Sequence, residues 1–145
     1  MKFKSRMITG ALLALLAVMI SACAPSARVT SEREVSVDGQ TYKIVTVAQL
    51  KTLLESKDFL LVNVHIPYEG EIKGTDLFVP YNEIEQNLSR VPDKNARIVV
   101  YCRSGRMSEI AAKTLAGLGY TDIRDVQGGM EAWTSAGYQL IYAQK

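Results

Sequence analysis

The chain has 145 residues, of which 48% are hydrophobic and 22% are charged, so it is long enough for one domain with a buried core. Its formal net charge of +2 lacks the basic excess of a nucleic-acid-binding surface, and a single histidine excludes a histidine-rich metal site. We therefore expect one globular domain that takes no nucleic acid, metal or cofactor.

The first segment of the chain has the pattern of an export signal. Lys2, Lys4 and Arg6 precede an apolar run over residues 7–20, which is shorter than the ~20 residues of a typical transmembrane helix. We predict that residues 1–22 form a signal peptide, the alternative being an uncleaved N-terminal anchor helix. Removal of the peptide takes away three basic residues and no acid, which leaves a single net negative charge.

The end of the apolar run, Ile20-Ser-Ala-Cys23, resembles a bacterial lipobox. The resemblance implies cleavage before Cys23 and lipidation of its sulfur, and two or more acyl chains anchor a protein stably to a membrane. Ala24 at the next position implies sorting to the outer membrane, facing the periplasm, in a cell that has two membranes. We expect an exported, lipid-anchored protein in which residues 23–34 form a flexible tether and residues 35–145 form the domain.

The predicted domain begins with a small β-hairpin and a helix. Val35–Val37 and Thr41–Val45 are strands joined by Asp38-Gly39, a favoured two-residue turn. Thr46 and Gln49 have the spacing of a capping box, which marks the start of a helix. The apolar face of that helix consists of Val47, Leu50, Leu53 and Leu54.

Two apolar runs further along the chain, Phe59–Val64 and Arg97–Tyr101, predict strands buried on both faces, as in a parallel sheet. Leu77–Val79 and Ile123–Val126 are predicted as further short strands. Between Tyr101 and Ile123, apolar residues at helical spacing predict a helix that Gly119 ends, and another helix starts after Gly128-Gly129. The helical apolar positions are Met107, Ile110, Ala111, Leu115 and Leu118, then Met130 and Trp133. This alternation predicts an α/β fold with a mainly parallel central sheet flanked by helices.

Cys102 directly follows a predicted strand and precedes a short loop and a helix, the place where open α/β sheets bind ligands. The positive end of the helix, together with Arg103 and Arg106, favours a thiolate and an anionic ligand. Gly105 lets the backbone turn tightly or approach a ligand closely. Three roles stay open for Ser104, which could cap the helix, donate to an anion or face solvent.

The two cysteines of the chain, Cys23 and Cys102, admit other interpretations. A buried structural cysteine is a common alternative to a reactive thiol. A disulfide between the two is the other alternative, which lipidation of Cys23 would prevent. We therefore predict that Cys102 is an unpaired, reactive thiol.

The run from Cys102 to Ser108, Cys-Arg-Ser-Gly-Arg-Met-Ser, resembles the active-site loop of rhodanese-family sulfurtransferases. Residues 110–120 resemble the family's next helix and Asp125–Trp133 its Gly-Gly…Trp segment, so the resemblance covers about residues 46–140. It implies a rhodanese-like fold and a Cys102 persulfide as the sulfur-carrying intermediate. The substrate-binding residues that it implies are Arg103, Ser104, Gly105, Arg106 and Met107. The implied partners are a small anionic sulfur donor such as thiosulfate and a thiol or cyanide acceptor, which could be a protein thiol.

The chain departs from the family pattern at Asn63, where an Asp is usual, at His65, where an Arg is usual, and over Gly70–Gly74, where Gly-His-Ile-Pro-Gly is the familiar form. In the family that Asp and that Arg support the active-site loop from behind, so we expect Asn63 and His65 to be hydrogen-bonding neighbours of the site. The alternative for His65 is a general base. For the domain, the alternatives are a docking module without catalysis and a dedicated persulfide carrier. A cysteine phosphatase is disfavoured because Ser108 stands where an Arg would grip the phosphoryl group.

Overall fold

The computed structural model describes residues 31–91 and 93–142. The predicted signal peptide, most of the predicted tether and the lipidation site Cys23 lie outside the described residues. Within the described ranges, none of the helices has the length and apolar character that a membrane crossing requires.

The described part of the chain contains eight strands, three α-helices and one 3-10 helix. The strands are β1 (Arg33–Val37), β2 (Gln40–Val45), β3 (Leu60–Asn63), β4 (Glu71–Ile72), β5 (Leu77–Phe78), β6 (Arg97–Tyr101), β7 (Asp122–Val126) and β8 (Leu140–Ile141). The helices are α1 (Val47–Glu55), α2 (Arg106–Gly117) and α3 (Gly129–Ser135), with a 3-10 helix at Glu85–Arg90. The predicted elements are all present, with bounds that differ by at most two residues where the prediction gave them.

The central sheet has the strand order β1-β2-β7-β6-β3-β5, and its pairs are parallel except for the antiparallel β1–β2 hairpin. The mainly parallel α/β fold predicted from the sequence is therefore confirmed. Parallel strands place their carboxyl ends at one edge of a sheet. That edge brings together Asn63 at the end of β3, Cys102 after β6 and Asp125 near the end of β7.

The N-terminal hairpin has the predicted turn, in which Asp38 and Gly39 take the positive φ values of 50° and 79°. Strand β1 begins at Arg33, opposite Ile44, so it takes in two residues of the segment predicted as tether. The capping box is also confirmed, since the Thr46 hydroxyl accepts from the Gln49 N–H and the Gln49 side chain accepts from the Thr46 N–H.

Two apolar layers enclose the sheet. Helix α2 covers one face with Ala111 and Leu115, while α1 and α3 cover the other with Leu50 and Trp133. One predicted core position is wrong: Ile110 is 44% exposed, because the buried stripe of α2 runs along a different face. That stripe consists of Ser108, Ala111, Ala112, Leu115 and Ala116.

Candidate functional site

The Cys102 sulfur lies between the end of β6 and the start of α2. The side chain is 1% exposed, and its Sγ accepts a hydrogen bond of 3.1 Å from the Gly105 N–H. Gly105 is the N-cap of α2 and has a φ of 100°, a conformation that glycine adopts without strain. Because the sulfur is removed from water, any negative charge on it depends on such N–H donors for stabilisation.

The opposite side of the Cys102 loop is bound to the first turn of α3. The Met130 N–H donates to the Cys102 carbonyl and the Glu131 N–H donates to the Arg103 carbonyl, both at 2.9 Å. Gly129 makes this contact possible, since a Cβ there would stand 2.1 Å from the Cys102 carbonyl oxygen. The loop carbonyls are therefore engaged by α3, while the Gly105 N–H faces the sulfur.

The Arg103 guanidinium is engaged by two carboxylates. Its Nε donates to Glu131 at 3.0 Å and its Nη1 to Glu69 at 3.4 Å. Arg103 is half-exposed, so these pairs offset its charge more than they stabilise the fold. Arg106 is exposed and has no ion pair within the part of the chain that the structure describes. Of the two arginines predicted to attract an anion, Arg106 has the free charge.

Asn63 and His65 support the segment before the loop rather than the loop itself. The Asn63 amide donates to the Gly70 carbonyl and its oxygen accepts from the His65 N–H, both at 3.0 Å. His65 Nε2 lies 3.1 Å from the Glu69 carboxylate, which also binds Arg103. The support expected from His65 therefore reaches the loop through Glu69 and Arg103. Nε2 is engaged by the Glu69 carboxylate, so the general-base alternative would have to use Nδ1, which is buried and has no hydrogen-bond partner among the described residues.

Ser104 and Met107, the remaining predicted substrate-binding residues, have different surroundings. Ser104 is exposed, and helix α2 has no side-chain cap, so its capping role is excluded. The Met107 side chain is partly buried against the core on the α2 side of the sheet. The sequence places both residues at the loop, but their side chains make no hydrogen bond to it among the described residues.

A pair of buried polar residues behind the loop was not predicted. The Ser108 hydroxyl is fully buried and donates to the Gly105 carbonyl at 3.1 Å. Asp125 is 5% exposed, and burial raises the pKa of its carboxyl to about 7, with a further increase from Glu109 and an opposing effect from the Ser108 hydroxyl. Sequence could have given a signal here, because Asp125 shares a face with Ile123 in the predicted strand Ile123–Val126.

A cleft of about 490 Å³ lies beside the loop. Its walls include Arg103, Glu69 and Glu131, together with the apolar Met130 and the exposed Tyr142. The antiparallel pairing of β4 with β8 brings Tyr142, the residue after Ile141 of β8, to this wall. The described residues contain no group of three acidic, His or Cys side chains arranged to hold a metal ion.

Comparison with known proteins gives consistent results. The rhodanese-like domain family matches residues 46–136. An adenylyltransferase and sulfurtransferase of Candida albicans (UBA4) is 37% identical over 70 residues, 48% of this chain, but the chain spans only 16% of that protein. A sulfurtransferase of Allochromatium vinosum is 34% identical over 92 residues, which are 61% of this chain and 84% of the relative.

Comparison with solved structures indicates the same family as comparison with these relatives. A rhodanese-like domain protein from Staphylococcus aureus is 32% identical with a TM-score of 0.58, and the match covers 69% of this chain and 98% of that one. The match spans nearly the whole of the smaller protein, as expected for one shared domain.

Proposed function

The chain belongs to the rhodanese-like domain family, and we propose that it is a sulfurtransferase in which Cys102 carries the transferred sulfur as a persulfide. The observation that carries the proposal is the Gly105 N–H directed at Cys102 Sγ, at 3.1 Å, in a loop whose carbonyls are bound elsewhere. A structural cysteine would need burial but no such donor.

In the first proposed step, the Cys102 thiolate attacks the outer sulfur of a donor such as thiosulfate. A bond forms between the two sulfurs while the donor's own S–S bond breaks, and its electron pair leaves with sulfite. Cys102 then carries one extra sulfur with a negative charge. The Gly105 N–H and the N-terminal end of α2 lie where they would stabilise that charge.

In the second step, an acceptor attacks the outer sulfur of the persulfide. A cyanide ion would leave as thiocyanate and a thiolate would leave as a persulfide, and in both cases Cys102 regains its electron pair as a thiolate. The exposed Arg106 supports an anionic donor, since its charge is not offset by a neighbouring acid among the described residues.

The cleft beside the loop favours a thiol acceptor larger than cyanide. Its volume of about 490 Å³ and its apolar Met130 and Tyr142 suit a substantial organic group, including the surface of a protein that presents a thiol. A dedicated persulfide carrier differs from a small-molecule sulfurtransferase only in this acceptor. Comparing transfer rates to cyanide, to small thiols and to protein thiols separates the two.

The test of sulfur loading is intact-mass spectrometry on the full chain carrying Cys23→Ser, so that Cys102 is the only thiol. We expect exposure to thiosulfate to add one sulfur atom, and the further substitution Cys102→Ser to abolish the addition while the fold is retained. If no donor, thiosulfate or an organic persulfide, loads Cys102, the sulfurtransferase proposal fails and a docking module is favoured.

We also propose that the protein is exported and attached to the cell envelope through a lipid on Cys23, on the outer membrane facing the periplasm where there are two membranes. The lipobox-like Ile20-Ser-Ala-Cys23 supports this proposal. Cys23→Ala should stop processing or release the protein from membranes during fractionation. A variant that is still cleaved and still membrane-bound would contradict the lipid anchor.

A further inference from the structure

Asp125 is a buried carboxyl that the proposed chemistry does not use. It lies on β7 opposite Val100 of β6, on the same side of its strand as Ile123, which packs beneath α2. Its side chain is 5% exposed, and its Oδ1 has no hydrogen-bond partner among the described residues. An ionised carboxylate in such a place is costly unless it is paired, so this residue requires an explanation.

Ser108 connects Asp125 with the Cys102 loop. The Ser108 hydroxyl donates its hydrogen to the Gly105 carbonyl at 3.1 Å and lies near enough to the Asp125 carboxyl to lower its pKa. The N–H of the same Gly105 donates to Cys102 Sγ at 3.1 Å. A hydroxyl has only one hydrogen to donate, so it can serve either Gly105 or an ionised Asp125, but not both at once.

We propose that Asp125 is a positioning residue for Cys102, which acts through Ser108 and Gly105 according to whether its carboxyl is protonated. The neutral acid leaves the Ser108 hydrogen on Gly105 and keeps the loop as the structure shows it. The ionised acid draws that hydrogen to itself and also places a negative charge near the sulfur, because Cys102 is the next residue after Val100 on the same side of its strand.

Burial and the neighbouring charges together set the pH at which the change occurs. From α2, Glu109 faces this region and is paired with Lys113 at 2.7 Å. From β2 comes the Tyr42 hydroxyl, and from the end of β6 the Cys102 thiol. Burial is the largest cause of the raised pKa of Asp125, about 7, and Glu109 adds to it. The carboxyl would therefore change its charge near neutral pH.

The test compares Asp125→Asn with its parent, the full chain carrying Cys23→Ser, between about pH 5.5 and about pH 8.5. The amide has nearly the shape of the acid but never ionises. We expect equal rates of persulfide formation from thiosulfate at the acidic end. At the alkaline end the variant should be faster by on the order of tenfold, because only the parent acquires the opposing charge. This kinetic readout rests on the proposed function.

Two controls separate positioning from a purely structural role. Glu109→Gln removes a charge that raises the pKa of Asp125. In that variant the loss of rate with rising pH should therefore begin at a lower pH than in the parent. In urea unfolding, the parent should lose stability as pH rises from about 4 through about 7, because the raised folded pKa favours the protonated native state. Asp125→Asn should lack that loss.

A readout that needs no sulfur transfer keeps the two proposals distinguishable. The ultraviolet absorbance of the Cys102 thiolate, measured against a Cys102→Ser reference, should be larger in Asp125→Asn than in the parent at about pH 8 and equal at about pH 5.5. Identical pH dependence of this absorbance in both proteins overturns the role of Asp125. Absence of any persulfide, with the absorbance difference present, overturns only the proposed function.

Discussion

The Cys102–Gly105 loop and the Asn63–Gly70 segment leave neighbouring parallel strands at the same edge of the sheet, yet they are held differently. Backbone groups bind the Cys102 and Arg103 carbonyls of the loop, through the N–H groups of α3 and the close approach that Gly129 allows, and the Ser108 hydroxyl adds one side-chain bond at Gly105. Side chains hold the segment, through the Asn63 amide and the His65–Glu69 contact. A backbone-held loop can keep its geometry while the side chains beside it change type. We therefore expect the Cys102 loop to tolerate substitutions at Asn63 and His65.

The largest effect should come from Gly129→Ala, which disrupts the backbone contacts that hold the Cys102 loop. The new Cβ would meet the Cys102 carbonyl oxygen at 2.1 Å at a residue with a φ of 52°, so the loop and α3 must separate. We expect a loss of more than about 3 kcal/mol in the free energy of unfolding and little or no sulfur loading of Cys102. Urea unfolding and intact-mass spectrometry measure the two effects.

The matched control for that substitution is Gly137→Ala. Gly137 has a φ of 87°, but a Cβ there meets nothing within 4 Å. It should cost only the strain of the left-handed backbone, about 1 kcal/mol, and leave sulfur loading unchanged. Equal behaviour of the two variants would show that the Gly129 contact does not shape the loop.

A smaller effect on the free energy of unfolding is expected from Asn63→Ala, which removes a side chain that holds the Asn63–Gly70 segment. The substitution leaves the Gly70 carbonyl and the His65 N–H without their partner in a fully buried place, which costs about 2 kcal/mol. Sulfur loading should change little, because Asn63 makes no hydrogen bond to the Cys102 loop. Chemical denaturation measures the first effect and loading kinetics the second.

Asn87→Ala is the control for that prediction. The Asn87 amide also donates to a backbone carbonyl, that of Glu83 at 2.9 Å, but in an exposed place where water can replace it. Its loss should therefore fall within about 0.5 kcal/mol. If Asn63→Ala abolished sulfur loading while the fold survived, the two regions would have to be treated as one unit.

The same contrast explains what could be predicted from the sequence. Apolar runs and helical spacing predicted the strands and helices, and the order strand, Cys102, Gly105, helix predicted the loop, because those features depend on local pattern. Ile110 was placed wrongly, since spacing alone does not say which of two adjacent apolar stripes faces the sheet.

Contacts between distant parts of the chain could not be predicted. The Arg103 pairs with Glu69 and Glu131 join residues 34 and 28 positions apart, and nothing in the local pattern indicates them. The backbone bonds from α3 to the loop likewise depend on the packing of two elements. Gly128-Gly129 was interpreted from sequence as a helix start, but its close approach to Cys102 needed the structure.

The smallest expected effect, on the rate of sulfur loading, concerns the Arg103–Glu69 pair, where the two regions meet. Glu69→Gln removes one of the two carboxylates that offset the Arg103 charge, with almost no change of shape. Loading by thiosulfate should become faster by about twofold to fivefold, because an exposed pair of this kind contributes up to about 1 kcal/mol. The gain should shrink in high salt and be absent with an uncharged sulfur donor.

Glu55→Gln provides the control for the removal of the Glu69 charge. Glu55 is an exposed acid at the end of α1, and because α1 precedes β3 it lies toward the amino end of that strand, away from Cys102. It changes the net charge by the same amount, so it should leave the loading rate unchanged. A gain common to both variants would point to overall charge, and no gain in Glu69→Gln would leave Arg106 as the group that attracts the donor. Only a gain confined to Glu69→Gln would show that the side-chain-held segment tunes the backbone-held loop through Arg103.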